Sequence, residues 1–376
     1  MYKNIVFWLD IPLFHVSPLI SSVANSNVNV IVICENNMPQ WRLDMGFPIP
    51  NFGNAKVYNE PSSVVRHEVL HEYSGSDSVH IFHGLRGTKE NFKCFKWLVG
   101  NACSVGLYFE PIKLYKTIKG FLRGFYYRLF FARYSNRIDF MLALGDFGKC
   151  QYVSLGLPEN KVISFGYFID GEYIAPLNPS SRAASPIVKI LYAGQLIDRK
   201  NVLMLASSFR NIEKNYDNVA LAMVGEGELK KLLIDYVQSE GLVDKVCLLG
   251  YSSNHELKEI FSNHDIFVLP SKFDGWGVVA VEALARGLPI IVSDKCGSAS
   301  ILKNPKHGIV FDSTSEQALT NALRLMIEDH EYYFSSESRK ERLNYAREHL
   351  SADAGKNKLL QILNGKFIEK TTEYEV

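Results

Sequence analysis

The sequence predicts an α/β protein with two doubly wound parallel-sheet domains. At 376 residues the chain exceeds the usual size of one domain. Short apolar runs alternate with helical patterns, as in parallel sheets that helices cover on both faces. A stretch rich in Pro, Ser and Ala interrupts this series at 171–187. We therefore expect an N-terminal domain over 1–170, a linker over 171–187, a C-terminal domain over 188–350 and a last helix over 351–367.

The composition narrows the possible functions. The chain is 47% hydrophobic and 22% charged, and its net charge of +1 gives no field that would attract nucleic acid. The six cysteines are scattered without a CxxC pair, which favours a reducing compartment. No apolar run approaches the length of a membrane span, and the first residues have the pattern of a strand rather than of a signal peptide. We expect a cytoplasmic protein.

The first half of the chain offers three candidate site residues. Because carboxyl ends of parallel strands meet at one edge of a sheet, His83 and Glu110, which end two predicted strands, are expected near one another. His15 lies in the turn after the first strand. That turn has no glycine, so a dinucleotide site is not expected there. The predicted strands of this domain cover 4–9, 28–34, 79–83, 104–110, 140–144 and 162–165.

The chain is organised around the βαβ unit at 265–297. Two apolar strands, predicted over 266–269 and 288–292, flank a glycine loop and a helix predicted over 278–286. Asp274 lies in the loop and Glu282 in the helix, both at the carboxyl end of the sheet. Glycines in the loop permit close backbone approach, and the first helical amides favour an anion. The remaining strands of this domain are predicted over 189–193, 220–224, 246–249 and 309–311.

A second loop in the C-terminal domain carries adjacent cations. Gly194 follows the first strand, and Arg199 and Lys200 come shortly after it. Arginine and lysine at a strand end suit the pyrophosphate of a nucleotide sugar. Gly225 opens another strand-to-helix turn. The loop glycines and both cations together predict a phosphate site.

These motifs resemble the donor-site signature of the retaining family 4 glycosyltransferases, which have the GT-B fold. The matching features are Asp-Gly-x-Gly at 274–277, the second acid eight positions after the first, Ala-x-Gly-x-Pro at 285–289 and a strand ending Ser-Asp. The family usually has Glu where this chain has Asp274, and Arg where it has Gln195. The resemblance implies two domains facing a cleft, with a C-terminal helix that crosses back to the N-terminal domain.

The resemblance also implies residue roles. Asp274 would orient the donor sugar, Glu282 would bind the ribose, and His83 would lie near the donor sugar. Glu110 and His15 would lie on the acceptor side, in an N-terminal acceptor-binding domain. The expected donor-binding residues of the C-terminal domain are Gly194, Arg199, Lys200, Gly225, Gly275, Trp276, Gly277 and Glu282.

The implied activity is transfer of a sugar from a nucleotide-diphosphate sugar to a saccharide acceptor, expected to be lipid-linked, in surface polysaccharide biosynthesis. The chain contains no Asp-x-Asp, so cations and helix amides rather than a metal are expected to take the leaving charge, and no cofactor is expected. Two alternatives stay open. The first is a catalytically silent partner protein that binds a nucleotide sugar, an alternative left open because Asp274 and Gln195 depart from the family pattern. The second is a nucleotide-sugar epimerase.

Two further stretches indicate other partners. His67, Glu68 and His71 form a literal HExxH, the pattern of a zinc peptidase, with Glu90 as a third ligand. The stretch 111–137 carries seven cations and no acid among aromatic and aliphatic residues, as in amphipathic helices that lie on anionic membranes. We expect the protein to be peripheral on the inner face of a membrane, with docking residues Lys113, Lys116, Lys119 and Arg123.

Overall fold

The computed structural model describes residues 2–44, 49–85, 87–114, 117–174 and 187–365. The chain divides into two compact units, Met1–Ile169 with Ala352–Val376, and Asp170–Ser351. Most of the predicted linker, 175–186, lies outside the described residues, as do the last residues from 366 onward.

The first unit is a seven-stranded parallel sheet covered by helices. Its strand order is β3-β2-β1-β4-β5-β6-β7. The C-terminal helix α14 (Ala352–Leu363) packs against α1 of this unit. In chain order its other elements are β1 (Asn4–Leu9), α1 (Ser17–Ala24), β2 (Asn29–Cys34), α2 (Gln40–Asp44), β3 (Lys56–Asn59), α3 (Ser63–Glu72), β4 (Ser78–His83), α4 (Lys89–Gly100), β5 (Ser104–Phe109), α5 (Ile118–Tyr134), β6 (Phe140–Leu144), α6 (Gly145–Ser154) and β7 (Val162–Phe165).

The second unit is a six-stranded parallel sheet of order β10-β9-β8-β11-β12-β13. Its strands are β8 (Val188–Ala193), β9 (Val219–Val224), β10 (Val246–Gly250), β11 (Ile266–Leu269), β12 (Ile290–Ser293) and β13 (Gly308–Phe311). Its helices are α7 (Val202–Glu213), α8 (Lys230–Ser239), α9 (Asn254–Ser262), α10 (Val278–Ala285), α11 (Glu316–Glu328), α12 (His330–Phe334) and α13 (Ser336–His349).

Each sheet reverses its strand order once, between its first and fourth strands. In the first unit the reversal lies between β1 and β4, and in the second between β8 and β11. Ligands of open parallel sheets bind outside the carboxyl ends of the strands at such a reversal. The loops after these four strands therefore locate the candidate sites.

The prediction of two doubly wound parallel sheets is confirmed, and two local differences have physical causes. Strand β3 lies at the edge of the sheet, where its residues are mostly exposed. It therefore has no apolar run by which the sequence could predict it. Strand β12 begins at Ile290 rather than at 288. Pro289 has no N–H to donate to a sheet ladder, which accounts for the later start.

Candidate functional site

Two loops of the second unit meet at the reversal between β8 and β11. Lys272 N donates to Arg199 O over 2.9 Å, and Lys272 Nζ lies 2.5 Å from Asp198 Oδ1. Arg199 Nη1 donates to Phe273 O over 3.0 Å. The loop with the adjacent cations is thus fixed against the loop with the first acid.

Lys200 and Asp274 form an ion pair in which both side chains are 13% exposed. The ammonium donates to Asp274 Oδ2, and Arg199 Nη1 lies 3.9 Å from the same oxygen. An ammonium has three N–H donors, and within the described part of the chain the Lys200 ammonium makes one hydrogen bond, to Asp274. The pair therefore leaves donors for an anion while it neutralises the carboxylate.

The glycines of these loops are required by close backbone packing. A Cβ at Gly225 would lie 1.9 Å from Gly194 O, and one at Gly227 would lie 2.4 Å from Leu196 O. Gly277 precedes α10 with φ of 83°, in the left-handed region that favours glycine. For Gly225, loop packing alone explains the residue, and a contact with a ligand stays a prediction.

The start of α10 contains buried polar side chains without partners. Trp276 is 4% exposed and Ser298 is fully buried, and neither Trp276 Nε1 nor Ser298 Oγ has a hydrogen-bond partner in the described structure. Ser298 N donates to Trp276 O over 2.8 Å. The indole of Trp276 is therefore packed inside the unit, with Gly275 and Gly277 beside it, so it presents no ring face to a ligand.

Glu282 lies on α10 and is partly exposed. Its carboxylate accepts no hydrogen bond from the residues that the structure describes. Burial raises the pKa of Glu282 to about 7, and the positive charges of Arg286 and Lys258 oppose this rise. A carboxylate in the middle of α10 with unused acceptor oxygens is suited to bind ligand hydroxyls.

Three neighbours of Glu282 were missing from the sequence analysis. Arg286 is 6% exposed, and its Nε and Nη2 have no hydrogen-bond partner among the described residues. The ring of Tyr173 lies 4.4 Å from Lys258 Nζ and 5.8 Å from Arg286 Cζ. The spacing of four residues between Glu282 and Arg286 on one helix would have predicted that they are neighbours. Lys258 and Tyr173 come from distant segments, and no sequence pattern predicts that they lie near Glu282.

In the first unit a buried tyrosine connects two predicted site residues. Tyr167 is 3% exposed, and its hydroxyl donates to Glu110 Oε1 over 2.8 Å. The same hydroxyl lies 2.8 Å from His83 Nε2. The structure therefore brings His83 and Glu110 together through a residue that the sequence analysis did not select. Tyr167 comes two residues after the end of β7, and no motif in the sequence marks it as a site residue.

The network assigns the protonation of His83. Since the Tyr167 proton goes to Glu110, the oxygen of Tyr167 accepts from His83, and His83 carries its proton on Nε2. Burial lowers the pKa of His83 to about 4, so the imidazole is neutral near neutral pH. His15 stacks on Tyr167 with a centroid distance of 5.9 Å. These four side chains form a mainly neutral cluster at the carboxyl edge of the sheet.

The HExxH segment is helical but lacks a third metal ligand. His67 and His71 lie on the exposed side of α3, with rings stacked 4.4 Å apart. Glu90 lies at the start of α4, where it binds Lys93 over 2.6 Å. Among residues that the structure describes, no group of three or more potential ligands could hold a metal. The geometry of these histidines gives no support to the peptidase alternative.

The predicted docking residues lie in and before α5. Lys119 is exposed on this helix, and Arg123 donates to Lys113 O over 3.0 Å. Lys116 lies outside the described residues. Within the described ranges, no helix combines the length and hydropathy needed to cross a membrane.

Comparison with known proteins finds a family match in the C-terminal half of the chain. Residues 179–349 match the family model of the glycosyl transferases group 1. An uncharacterized glycosyltransferase of Methanocaldococcus jannaschii is 32% identical over 120 residues, which cover 32% of this chain and 30% of that protein. The UDP-Gal:alpha-D-GlcNAc-diphosphoundecaprenol alpha-1,3-galactosyltransferase of Escherichia coli is 31% identical over 139 residues, 36% of this chain and 35% of that protein. The chain thus aligns with about a third of the length of these relatives.

The solved structures extend the similarity to the whole fold. The crystal structure of Anabaena HepE in complex with UDP superposes with a TM-score of 0.72 at 14% identity, and the alignment covers 97% of this chain and 100% of that one. Both sheets are therefore accounted for by the GT-B fold, as the sequence predicts. Residues 179–349 are therefore similar in sequence to the glycosyl transferases group 1, and the fold of the whole chain is that of the GT-B proteins.

Proposed function

We propose that the protein is a retaining, family 4-like glycosyltransferase that moves a sugar from a nucleotide-diphosphate sugar to a lipid-linked saccharide in surface polysaccharide assembly. The observation that carries the proposal is the presence of two features in the second unit, one in the loops at the β8/β11 reversal and one on the adjacent helix α10. The Lys200 ammonium retains unused donors beside Arg199, and the Glu282 carboxylate retains unused acceptors. A nucleoside diphosphate presents both a dianionic phosphate chain and neutral ribose hydroxyls.

The proposed chemistry follows from these charges. Cleavage of the bond between the sugar carbon and the diphosphate oxygen leaves negative charge on the diphosphate and an oxocarbenium-like sugar. Lys200, Arg199 and the first amides of α10 stabilise the leaving charge. Glu282 accepts hydrogen bonds from the ribose, and Asp274 accepts one from a sugar hydroxyl. No residue is assigned as a nucleophile.

Retention follows if the acceptor hydroxyl attacks from the side on which the diphosphate leaves. The new bond then forms on the same face as the bond that breaks, and the hydroxyl proton moves to the departing phosphate oxygen. In this scheme the donor phosphate is the base. We propose that His83, Glu110 and His15 of the first unit bind sugar hydroxyls, His83 through its neutral ring.

The names of similar proteins suggest which substrates to test. The Escherichia coli relative is named for UDP-galactose and a diphosphoundecaprenol acceptor, and the HepE crystals contain UDP. We therefore propose UDP-sugars and polyprenyl-diphosphate saccharides as first candidates. We also propose metal-independent catalysis on the cytoplasmic face of a membrane, with the leaving charge held by protein groups alone.

A thermal-shift screen tests the proposal directly. The protein is heated with UDP-, GDP-, dTDP- and CMP-sugars in the presence of EDTA, together with the Lys200→Ala and Glu282→Gln variants. A ligand at a hundred times its Kd adds about 2.7 kcal/mol to the free energy of unfolding, an easily measured shift. We expect one nucleotide class to stabilise the wild type and to stabilise both variants less. Absence of any shift would contradict the donor site.

Turnover then separates the proposed transferase from the two alternatives. A silent partner is favoured by one observation, because Lys200 already neutralises Asp274. It would bind a nucleotide sugar but release no nucleoside diphosphate with any polyprenyl-linked acceptor. An epimerase would convert the bound sugar without an acceptor, which nuclear magnetic resonance detects. A transferase releases nucleoside diphosphate only when acceptor is present.

A further inference from the structure

Helix α5 is apolar on its outward side as well as on its inward side. Its inward side packs in the first unit through buried Gly120, Tyr127, Phe130 and Phe131. Its outward residues are nevertheless large and hydrophobic, with exposed fractions of 81% for Ile118, 74% for Phe121, 58% for Leu122, 53% for Phe125 and 56% for Leu129. A helix that is apolar all round is normally covered on both sides.

The exposed residues form one continuous stripe. Ile118, Leu122, Phe125 and Leu129 are spaced by four, three and four residues, which places them on one line at about 3.6 residues per turn. On the same helical wheel Phe131 points to the opposite side. An ordinary surface helix would carry its charges along the outward line. Here that line contains none.

The cations of α5 lie beside the stripe. Lys119 and Arg133 project on one side of it and Arg128 on the other, and all three are exposed. The whole stretch 111–137 contains no acid to neutralise them. A hydrophobic line between positive borders matches a bilayer, in which acyl chains lie beneath anionic headgroups.

Two grooves run along α5 on either side of the stripe. One has a volume of about 510 Å³ and is lined by Phe92, Lys119, Leu122 and Tyr126 among others. The second has a volume of about 590 Å³ and its lining includes Ile118, Phe121, Phe125 and Arg128. Both combine apolar walls with a cation, the chemistry of a phospholipid.

We infer that the outward face of α5, defined as Ile118, Phe121, Leu122, Phe125 and Leu129 with its bordering cations, docks on an anionic membrane surface. A second copy of the chain is the less suitable occupant. A twofold contact through this face would bring the same uncompensated cations together across the interface. An anionic bilayer covers the apolar line and compensates the cations. The inference stands independently of the proposed transferase activity, because it uses no donor-site residue.

Vesicle flotation tests the inference with the full chain. The vesicles contain equimolar phosphatidylglycerol and phosphatidylcholine, or phosphatidylcholine alone. We expect the wild type to float with the anionic vesicles and to be released by raised salt. Leu122→Ser/Phe125→Ser should not float. Each cation near an anionic surface is worth about fivefold in partition, so Lys119→Gln/Arg128→Gln/Arg133→Gln should bind about a hundredfold more weakly.

Matched controls remove equivalent side chains elsewhere. Leu232→Ser/Leu325→Ser changes two leucines of the second unit that are 50% and 51% exposed. Lys214→Gln/Lys231→Gln removes two exposed lysines of that unit. Both should float like the wild type, and unchanged unfolding temperatures show that every variant is folded. The inference is overturned if the wild type ignores anionic vesicles, or if α5 variants and controls float equally. It is also overturned if the α5 variants only convert a dimer to a monomer in light scattering.

Discussion

The two candidate sites lie at the same position of similar sheets, yet they differ in charge. At the β8/β11 reversal Lys200, Arg199 and Asp274 are charged groups in mutual contact, with the ionisable Glu282 on the adjacent helix. At the carboxyl edge of the first sheet, a tyrosine hydroxyl connects a neutral histidine to one carboxylate. Fixed charge suits the diphosphate of a nucleotide sugar, whereas neutral hydrogen-bonding groups suit the hydroxyls of a sugar. The same topology thus carries two clusters that differ in charge and in the hydrogen bonds they make.

Removal of the Lys200 ammonium should have the largest effect. We expect Lys200→Ala to lower kcat/KM by about 10²- to 10³-fold, the usual loss when one donor to a developing anion is removed. The assay is acceptor-dependent release of nucleoside diphosphate. If the variant keeps wild-type kcat/KM, the charged loop is not the phosphate site.

A second variant separates this loss from misfolding. Lys200→Ala leaves Asp274 partly buried without its main partner, which by itself lowers the free energy of unfolding. Lys200→Met/Asp274→Asn removes both charges together and should recover most of that stability. Transfer should stay low in the double variant. Recovery of transfer along with stability would show that Lys200 acts only by folding the loop.

The pKa of Glu282 predicts a pH-dependent affinity for the nucleotide sugar. Ribose hydroxyls donate to the charged carboxylate, so binding should strengthen as pH rises through about 7, where Glu282 loses its proton. Between about pH 6 and pH 8 the charged fraction of such a group rises about tenfold, and Kd should fall by the same factor. Glu282→Gln should bind more weakly at high pH and show a flat profile. Calorimetry across this range measures both curves.

The same residue predicts an opposite trend for the unliganded protein. Its folded pKa is above the ordinary value of 4.5, so the folded state binds the proton more tightly than the unfolded chain. Its contribution to the free energy of unfolding is present below pH 4.5 and is lost as pH rises to about 7. Relative to Glu282→Gln, the wild type should therefore lose stability over this interval. Equal slopes in urea unfolding at several pH values would contradict the assignment.

Loss of the Tyr167 hydroxyl should have a smaller effect. Tyr167→Phe removes the group that joins His83 to Glu110 but keeps the stacked ring. We expect kcat/KM to fall by about five- to tenfold, a loss of about 1 kcal/mol, because Tyr167 positions His83 and Glu110 and does not itself contact the substrate. Tyr108→Phe is the control, because it keeps a ring that packs against His83 and Tyr167 and removes a buried hydroxyl that donates to Gly166 O over 2.7 Å rather than to Glu110. Similar losses of stability but unequal losses of transfer would support a positioning role for Tyr167.

The sequence was sufficient for both sheets apart from the edge strand β3, and for the positions of the charged loops, since these are local patterns. Apolar runs separated by helical periods predict parallel strands, and Gly194, Arg199 and Lys200 follow one such strand directly. The pairing of Lys200 with Asp274 could not be read in this way. It depends on two loops 74 positions apart that meet only because β8 neighbours β11.

The neutral cluster was harder to predict for the same reason. His83 and Glu110 could be selected as polar residues at strand ends. Tyr167, which joins them, is one of 19 tyrosines, and its position after β7 carries no motif. The elevated pKa of Glu282 likewise arises from burial in the folded unit, with Lys258 brought in from α9. Local sequence specifies the strands, the helices and their ends. Tertiary contacts specify the pKa of a side chain such as Glu282 and the hydrogen-bond partners of residues such as His83.

Removal of the HExxH histidines should have the smallest effect, because they belong to neither candidate site. His67 and His71 are the chain's best match to a metal motif, but they lie exposed on α3, away from the end of any strand. Two imidazoles without a third ligand do not form the closed or three-ligand sites that hold zinc tightly. We expect His67→Ala/His71→Ala to leave sugar transfer unchanged. Metal analysis of the purified protein should find less than one equivalent of zinc. Stoichiometric zinc that is lost in the variant, together with peptide hydrolysis, would instead support the zinc peptidase alternative. The active site would then lie on α3 rather than at the sheet edges.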